Sequence, residues 1–136
     1  VCSSDLSVRS GSDADSGILA AHRSAGEAEQ ASYRGRRDPV EDPANVLVGE
    51  IDGTVCGTLG WTQTGAVCSI VHVYVEPWAR NVGVGDALMR SLLEEAHRCG
   101  AGAVGASALP GDRSVKNLFE RNGLVAREIL VERVLD

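Results

Sequence analysis

The sequence has few aromatic residues, no excess of basic residues and no long apolar run. Phe, Trp and Tyr make up 4% of the 136 residues, which is too little to define an aromatic cage for a ligand. The formal net charge of −6 argues against nucleic-acid binding, because neutralising phosphates requires a basic surface. No apolar stretch approaches the roughly 20 residues that span a bilayer. Neither a nucleic acid nor a membrane is therefore an expected partner.

The four cysteines show no pattern of metal binding or disulfide formation. They have neither CxxC spacing nor a histidine at metal-ligand spacing, so no metal is expected. No secretion signal is present, which favours reduced thiols and a cytoplasmic location. Cys56 and Cys68 fall in strand-like segments, and we predict that they behave as small buried hydrophobic residues.

The sequence contains enough apolar material for one domain, with 43% hydrophobic residues in 136. Its first six residues, VCSSDL, are what the sequencing-adapter tail GTG TGC TCT TCC GAT CT would encode. We therefore predict that residues 1–6 are a non-native tail and that residues 7–136 form a single domain.

Short patterns in the first half predict a strand, a helix and a hairpin. A first strand is expected over Leu6 to Arg9, followed by a helix that opens with a capping box at residues 12–15. Its inward face would carry Ile18, Leu19, His22 and Ala25. Further on, the Asp-Gly pair at positions 52 and 53 predicts a tight hairpin between strands at 46–51 and 54–61.

The segment Ile70–Ala96 predicts a strand that leads through a glycine-bearing turn into an amphipathic helix. The strand is rich in β-branched residues and ends at Pro77, and the turn is Arg-Asn-Val-Gly-Val-Gly at 80–85. The helix would place Leu88, Met89, Leu92, Leu93 and Ala96 on one face. Unpaired amides at a helix N-terminus attract anions, so this turn is a candidate pyrophosphate site.

Two familiar phosphate loops are excluded. No Gly-Lys-Ser/Thr triplet exists for a P-loop, and the dinucleotide fingerprint would need a third glycine where Leu88 stands. The arrangement instead resembles the GNAT superfamily of N-acyltransferases, whose cofactor motif is Q/R-x-x-G-x-G/A after a strand often written V-x-P. Val75-Glu76-Pro77 and the residues from Arg80 to Gly85 match it in order.

Other segments fit the same family in the same order. Asn45–Trp61 resembles its hairpin, 101–109 its next strand, 112–124 its N-x-x-A-x-x-L-Y-x-x-x-G-F helix and 127–135 its closing strand. The resemblance implies an α/β (α+β) fold, with a mixed, largely antiparallel twisted sheet flanked by helices and with splayed central strands.

The resemblance also implies acetyl-CoA, or another acyl-CoA, as cosubstrate. Its pyrophosphate would lie on the amides from Asn81 to Asp86, and its pantetheine arm would pair with the main chain of the cofactor strand. Lys116 either reaches a CoA phosphate or is a solvated surface lysine. The residues expected to bind the cofactor are Val73, Val75, Arg80, Asn81, Val82, Gly83, Val84, Gly85, Asp86 and Lys116.

The catalytic positions implied by the family hold weak acid–base groups. The usual base positions correspond to Ser69 and Ser107, and the usual tyrosine acid corresponds to Phe119, which cannot donate a proton. His72, in mid-strand, is either a base that titrates near neutrality or a packed strand histidine.

The leading hypothesis is transfer of an acetyl group from acetyl-CoA to a primary amine of a small molecule or peptide, directly in a ternary complex. The alternative is an acyl-CoA-binding regulatory module with little or no catalysis, which the weak acid–base positions favour. A homodimer is left open. Five carboxylates of the first helical region either form an acidic rim that favours a cationic amine or are ordinary solvated charges among the nineteen Asp and Glu of the chain, namely Glu27, Glu29, Asp38, Glu41 and Asp42.

Overall fold

A computed structural model describes residues 5–135 as a five-stranded sheet with three α-helices. The strands are β1 (Leu6–Ser10), β2 (Asn45–Ile51), β3 (Thr54–Thr64), β4 (Val67–Val75) and β5 (Ala103–Gly105). The helices are α1 (Ser16–Gln30), α2 (Val84–Arg98) and α3 (Arg113–Arg121). The strands follow chain order across the sheet. The first three pairings are antiparallel, and β4 pairs with β5 in parallel.

Helices cover both faces of the sheet, as expected. The α1 face of the sheet carries Thr58 and Tyr74, and the ring of Tyr74 lies 4.9 Å from that of His22 in α1. On the opposite face, a Cβ added at Gly57 would lie 2.9 Å from the Val84 side chain of α2. The main apolar core lies on this second side, where Leu88, Met89, Leu92 and Ala96 of α2 are buried. The predicted inward face of α2 is therefore confirmed for these four residues, whereas Leu93 is only partly buried.

Short sequence patterns correctly predict several ends of the strands and helices. The Asp52-Gly53 hairpin is confirmed, and the positive φ angles of 50° and 78° are those of the tight turn that such a pair favours. The capping box at Ser12 and Asp15 is also present, and it opens a short 3-10 turn, Asp13–Asp15, that leads into α1. Positive φ angles at Gly100 and Gly123 follow α2 and α3, as expected of helix C-termini.

The closing strand predicted at 127–135 is wrong for this structure. No strand is assigned there, and the apolar residues of the segment are 79–88% exposed, among them Val131 and Val134. A strand needs a paired neighbour, and β5 at the sheet edge offers three residues rather than the nine predicted at 101–109. The recorded side-chain contact of the segment is an ion pair between Arg36 and Glu132.

Residues 1–4 of the predicted adapter tail lie outside the described residues, whereas Leu6 pairs with Ile51 in β1. The non-native origin of residues 1–6 stays a prediction. Across residues 5–135, no helix has both the length and the apolar character to cross a membrane.

Candidate active site

The edge of β4 is open over most of its length. β4 pairs with β5 only from Val67 to Ser69, whereas on its other side it continues to pair with β3 as far as Val75. The central strands therefore separate after Ser69, which is the expected splay. Residues 70–75 lack a strand partner on that side within the described chain. Apart from the carbonyls of Val71 and Val75, which accept from arginine side chains, the main-chain groups that face this side are available to a ligand.

A β-bulge lies at the start of this open edge. Gly60 pairs with His72 and Trp61 pairs with Ile70, so Val71 is an extra residue on β4. Bulges bend a strand and leave one residue out of the ladder, and they are frequent beside active sites. The sequence contains no signal for this one, because neither glycine nor proline occurs in β4.

The glycine-bearing turn follows β4, whose last residue, Val75, lies roughly 13 Å from the bulge at about 3.3 Å per strand residue. Asn81 and Gly83 have positive φ angles of 67° and 94°. Gly83 is the N-cap of α2, so the amides of Val84, Gly85 and Asp86 begin the helix without an intrahelical acceptor. A Cβ at Gly83 would meet nothing within 4 Å, so the turn faces open space.

Gly85, the second glycine of the motif, differs from Gly83 in its backbone conformation. It lies in α2 with an ordinary helical φ, so it is not needed for an unusual backbone angle. A Cβ there would lie 3.3 Å from a methyl carbon of Leu118. The missing side chain therefore allows α3 to pack closely on α2.

The charged side chains predicted to bind the cofactor are engaged within the protein. Nε of Arg80 donates to the Val75 carbonyl at 2.9 Å, and its guanidinium forms an ion pair with Glu29. Asp86 accepts a hydrogen bond from Asn122 at 3.0 Å and forms an ion pair with Arg121 at 3.3 Å. The turn therefore presents main-chain amides rather than these side chains.

Lys116 also has a partner within the protein. It lies exposed on α3, where its amino group is 3.7 Å from the carboxylate of Glu120 one helical turn away. This position agrees with the second reading of Lys116, a solvated surface lysine.

A cavity of about 390 Å³ opens beside the bulge. Its walls come from β4, α1, the loop that follows α1, and the segment from β5 to α3. Among the residues predicted for the site, it brings together His72, Val73, Ser107 and Phe119. Ser69 is exposed and does not line it.

His72 belongs to a buried chain of hydrogen bonds. Its Nε2 lies 3.0 Å from the Thr58 hydroxyl, which lies 2.9 Å from Nδ1 of His22. Nε2 of His22 is in turn 2.9 Å from the Glu76 carboxylate. Because a carboxylate only accepts, Nε2 of His22 donates to it, and in the neutral ring Nδ1 accepts from Thr58. The Thr58 oxygen then accepts from His72, so Nδ1 of His72 is left as a hydrogen-bond acceptor.

This acceptor atom is buried and shielded. Nδ1 of His72 has no hydrogen-bond partner among the described residues. A Cβ added at Gly60 would lie 2.7 Å from it and 2.6 Å from Cγ of Pro43. Burial, assisted by the nearby basic groups of Arg23, His22 and Arg37, lowers the pKa of His72 to about 4. His72 is therefore neutral at pH 7 and a weak base.

The acidic rim predicted from the sequence is partly neutralised. Asp42 forms an ion pair with Arg23, Asp38 with Arg36, and Glu29 with Arg80. These partners lie between 2 and 51 positions away in sequence. Among the described residues, Glu27, which lines the cavity, and Glu41 form no ion pair, so three of the five predicted carboxylates are matched by arginines.

The pattern of the Acetyltransferase (GNAT) family matches residues 17–124. The chain belongs to this family. It is accordingly an N-acetyltransferase, and its mixed sheet with flanking helices is the GNAT fold. No curated protein sequence matches the chain significantly.

Solved structures of GNAT enzymes have the same fold. Aminoglycoside N-acetyltransferase AAC(6')-Iy in complex with CoA has a TM-score of 0.73 at 13% identity, covering 96% of this chain and 99% of its own. Ribosomal-protein-alanine N-acetyltransferase from Brucella melitensis has a TM-score of 0.69 at 19% identity, with coverages of 96% and 98%. The putative acetyltransferase yncA from Salmonella typhimurium, solved with acetyl-CoA, has a TM-score of 0.69 at 21% identity, with coverages of 91% and 82%.

The comparisons support acetyl transfer without naming an acceptor. The first two similar structures are enzymes for an aminoglycoside and for a ribosomal protein. In residues 5–135, no three His, Cys, Asp or Glu side chains are grouped to hold a metal ion.

Proposed function

We propose that this enzyme transfers the acetyl group of acetyl-CoA to a primary amine of a small molecule or peptide, directly within a ternary complex. The observation that carries the proposal is the open edge of β4, which links the amide-rich turn at one end to the cavity at the other. One extended ligand could lie along this edge, with its phosphates on the turn and its thioester at the bulge.

The turn suits a pyrophosphate on three counts. Gly83 leaves the approach free of side chains. The first amides of α2 lack acceptors, and the helix dipole favours an anion there. The nearby carboxylate of Asp86, which would repel a phosphate, is held by Arg121 and Asn122.

The pantetheine arm would meet main-chain groups rather than side chains. Its amides can pair with the edge of β4 near Val73 and Val75, where β5 has already diverged. Val73 lines the cavity, so this pairing would direct the thioester into it.

In the proposed reaction, the nitrogen lone pair of the neutral amine attacks the thioester carbon and forms the C–N bond. The C–S bond breaks, the CoA thiolate takes a proton, and the nitrogen loses one. Phe119 lines the cavity and cannot supply the proton. His72 is shielded and weakly basic, which favours its reading as a packed histidine, so we assign both proton movements to water. Ser107, also in the cavity wall, has a hydroxyl that would hold such a water.

The test is calorimetric titration with acetyl-CoA, followed by chromatographic measurement of acetyl-CoA loss when amines are added. Chromatography is preferred to a thiol reagent because Cys99 is exposed and would react. The amines are a polyamine, an aminoglycoside, free amino acids and a peptide with a free N-terminus. Binding with amine-dependent loss supports the proposal. Binding without loss for any amine favours the acyl-CoA-binding module, and no binding overturns the cofactor site.

A further inference from the structure

We propose that Arg37 binds a carboxylate of the acceptor, so that the preferred acceptors are amino acids or similarly small amines with a carboxylate close to the amine. The inference rests on the proposed function and names the substrate class of the same site. Three observations carry it: the partial burial of Arg37, the absence of an ion-paired carboxylate among residues 5–135, and its position at the bulge.

Arg37 differs from the other arginines described between residues 5 and 135. Most of them are exposed, and only Arg23 and Arg37 are half-buried. Arg23 forms an ion pair with Asp42, whereas no carboxylate lies within 4.0 Å of Arg37 in this part of the chain. A half-buried guanidinium without a counter-charge is costly, and such groups are normally paired.

The guanidinium of Arg37 also has unused hydrogen-bond donors. Its recorded hydrogen bond runs from Nη2 to the Val71 carbonyl at 3.4 Å, which is long. A guanidinium has five N–H donors, and two of them match the two oxygens of a carboxylate. Burial lowers the pKa of Arg37, and the carboxylate of Asp112, which is too distant to bond it, only partly opposes this effect. A bound anion would supply the missing partner.

The position of Arg37 limits what that anion can be. Val71 is the bulge residue, and the cavity that Arg37 lines opens beside it. The pyrophosphate would lie at the other end of β4, so CoA phosphates are remote from Arg37. An anion held here would therefore belong to the acceptor and lie close to its reacting amine. The cavity, at about 390 Å³, suits a small molecule.

The matching experiment uses pairs of acceptors that differ only at the carboxylate, such as glycine and glycinamide or phenylalanine and its amide. The specificity constant kcat/KM for each is compared per neutral amine, because the amine of an amide is less basic than that of the free amino acid. The variants are Arg37→Ala, Arg37→Lys and the control Arg34→Ala. Arg34 lies on the same loop, is exposed and does not line the cavity.

The unmodified enzyme should favour the carboxylate member by about 10- to 100-fold, as expected for hydrogen bonds to a charged group. Arg37→Ala should lower kcat/KM far more for the carboxylate member than for the amide and so abolish this preference, Arg37→Lys should retain part of it, and Arg34→Ala should retain all of it. Calorimetry with N-acetylated amino acids and their amides gives a second readout that does not depend on turnover. Thermal unfolding of each variant checks that the fold is intact.

Each other outcome has a separate meaning. An equal loss for both members of a pair in Arg37→Ala would overturn carboxylate recognition and place Arg37 on the transition state or in the fold. A preference for amides, or turnover of polyamines but of no amino acid, would overturn the substrate class and leave acetyl transfer intact. If no amine of any kind causes acetyl-CoA to be consumed, the result would instead contradict the proposed function.

Discussion

The amide-rich turn and the cavity both adjoin the open edge of β4, yet they are built in different ways. The turn is a continuous run, from Arg80 to Asp86, and it presents main-chain groups. The cavity is assembled from side chains of four separate segments. A site made of main chain depends on the angles of a few neighbouring residues, whereas a site made of side chains depends on how distant segments pack.

The largest effect should come from breaking the turn. Gly83→Asp is expected to weaken acetyl-CoA binding at least about 100-fold, because it places a carboxylate in an anion site and a Cβ on a residue with a φ of +94°. Calorimetry measures the affinity. The matched control is Gly53→Asp, which has a similar φ of +78° and open surroundings but lies in the β2–β3 hairpin. Equal affinities for the two variants would contradict the cofactor site.

Acid should lower the stability of the protein through His72, which lies at the cavity and not at the turn. The folded-state pKa of His72 is lowered from 6.5 to about 4, so the unfolded chain binds this proton more readily. The free energy of unfolding should be undiminished above pH 6.5 and fall by up to ~3 kcal/mol as the pH drops to about 4. Asp15, whose pKa is lowered chiefly by its hydrogen bond from Arg9, contributes a loss only around and below its ordinary pKa of 3.8.

Urea unfolding from pH 7 to pH 4 measures this dependence. In His72→Gln the same profile should be flatter. Parallel profiles for the two proteins would show that His72 is not the group responsible.

A smaller effect should follow from removing one hydroxyl of the buried chain. Thr58→Val keeps the shape of the side chain but leaves ring nitrogens of His22 and His72 without a partner. The expected loss of stability is about 1–3 kcal/mol, measured by urea unfolding, with acetyl-CoA affinity unchanged. Thr54→Val, at an exposed position of the same strand, should be nearly neutral. A large change in affinity for Thr58→Val would show that the two ends of β4 are coupled.

The smallest effect is expected for Lys116→Ala. Because this lysine is exposed and faces Glu120, its loss should change acetyl-CoA affinity less than about twofold, in keeping with the small contribution of exposed ion pairs. The same calorimetric titration provides the measurement. A tenfold loss would restore Lys116 as a phosphate ligand and would extend the turn's site to a side chain of α3.

The same contrast explains how far the sequence alone could predict the molecule. The hairpin at Asp52, the turn and α2 are set by residues close in sequence, and all were predicted. The chain through Thr58 was not, because its bonds join residues 14, 36 and 54 positions apart. The same distance effect hides two of the ion pairs of the acidic rim, since Asp42 and Glu29 lie 19 and 51 positions from their arginine partners.

Strand length and the bulge were also beyond local reasoning. The segment 127–135 has strand-like composition, but whether it pairs depends on the neighbouring edge, which is the short β5. The bulge at Val71 depends on the register between β3 and β4, which no pattern within β4 reports.

Gly60 has a consequence for how this protein can vary. It is the point where β3, the ring of His72 and Pro43 of the loop after α1 meet, and even one added carbon would lie 2.6 Å from Pro43. The loop that carries Arg37 rests on the sheet at this point. Under the role proposed for Arg37, a substitution at Gly60 would displace this loop and change acceptor preference, although Gly60 has no side chain of its own to contact a substrate.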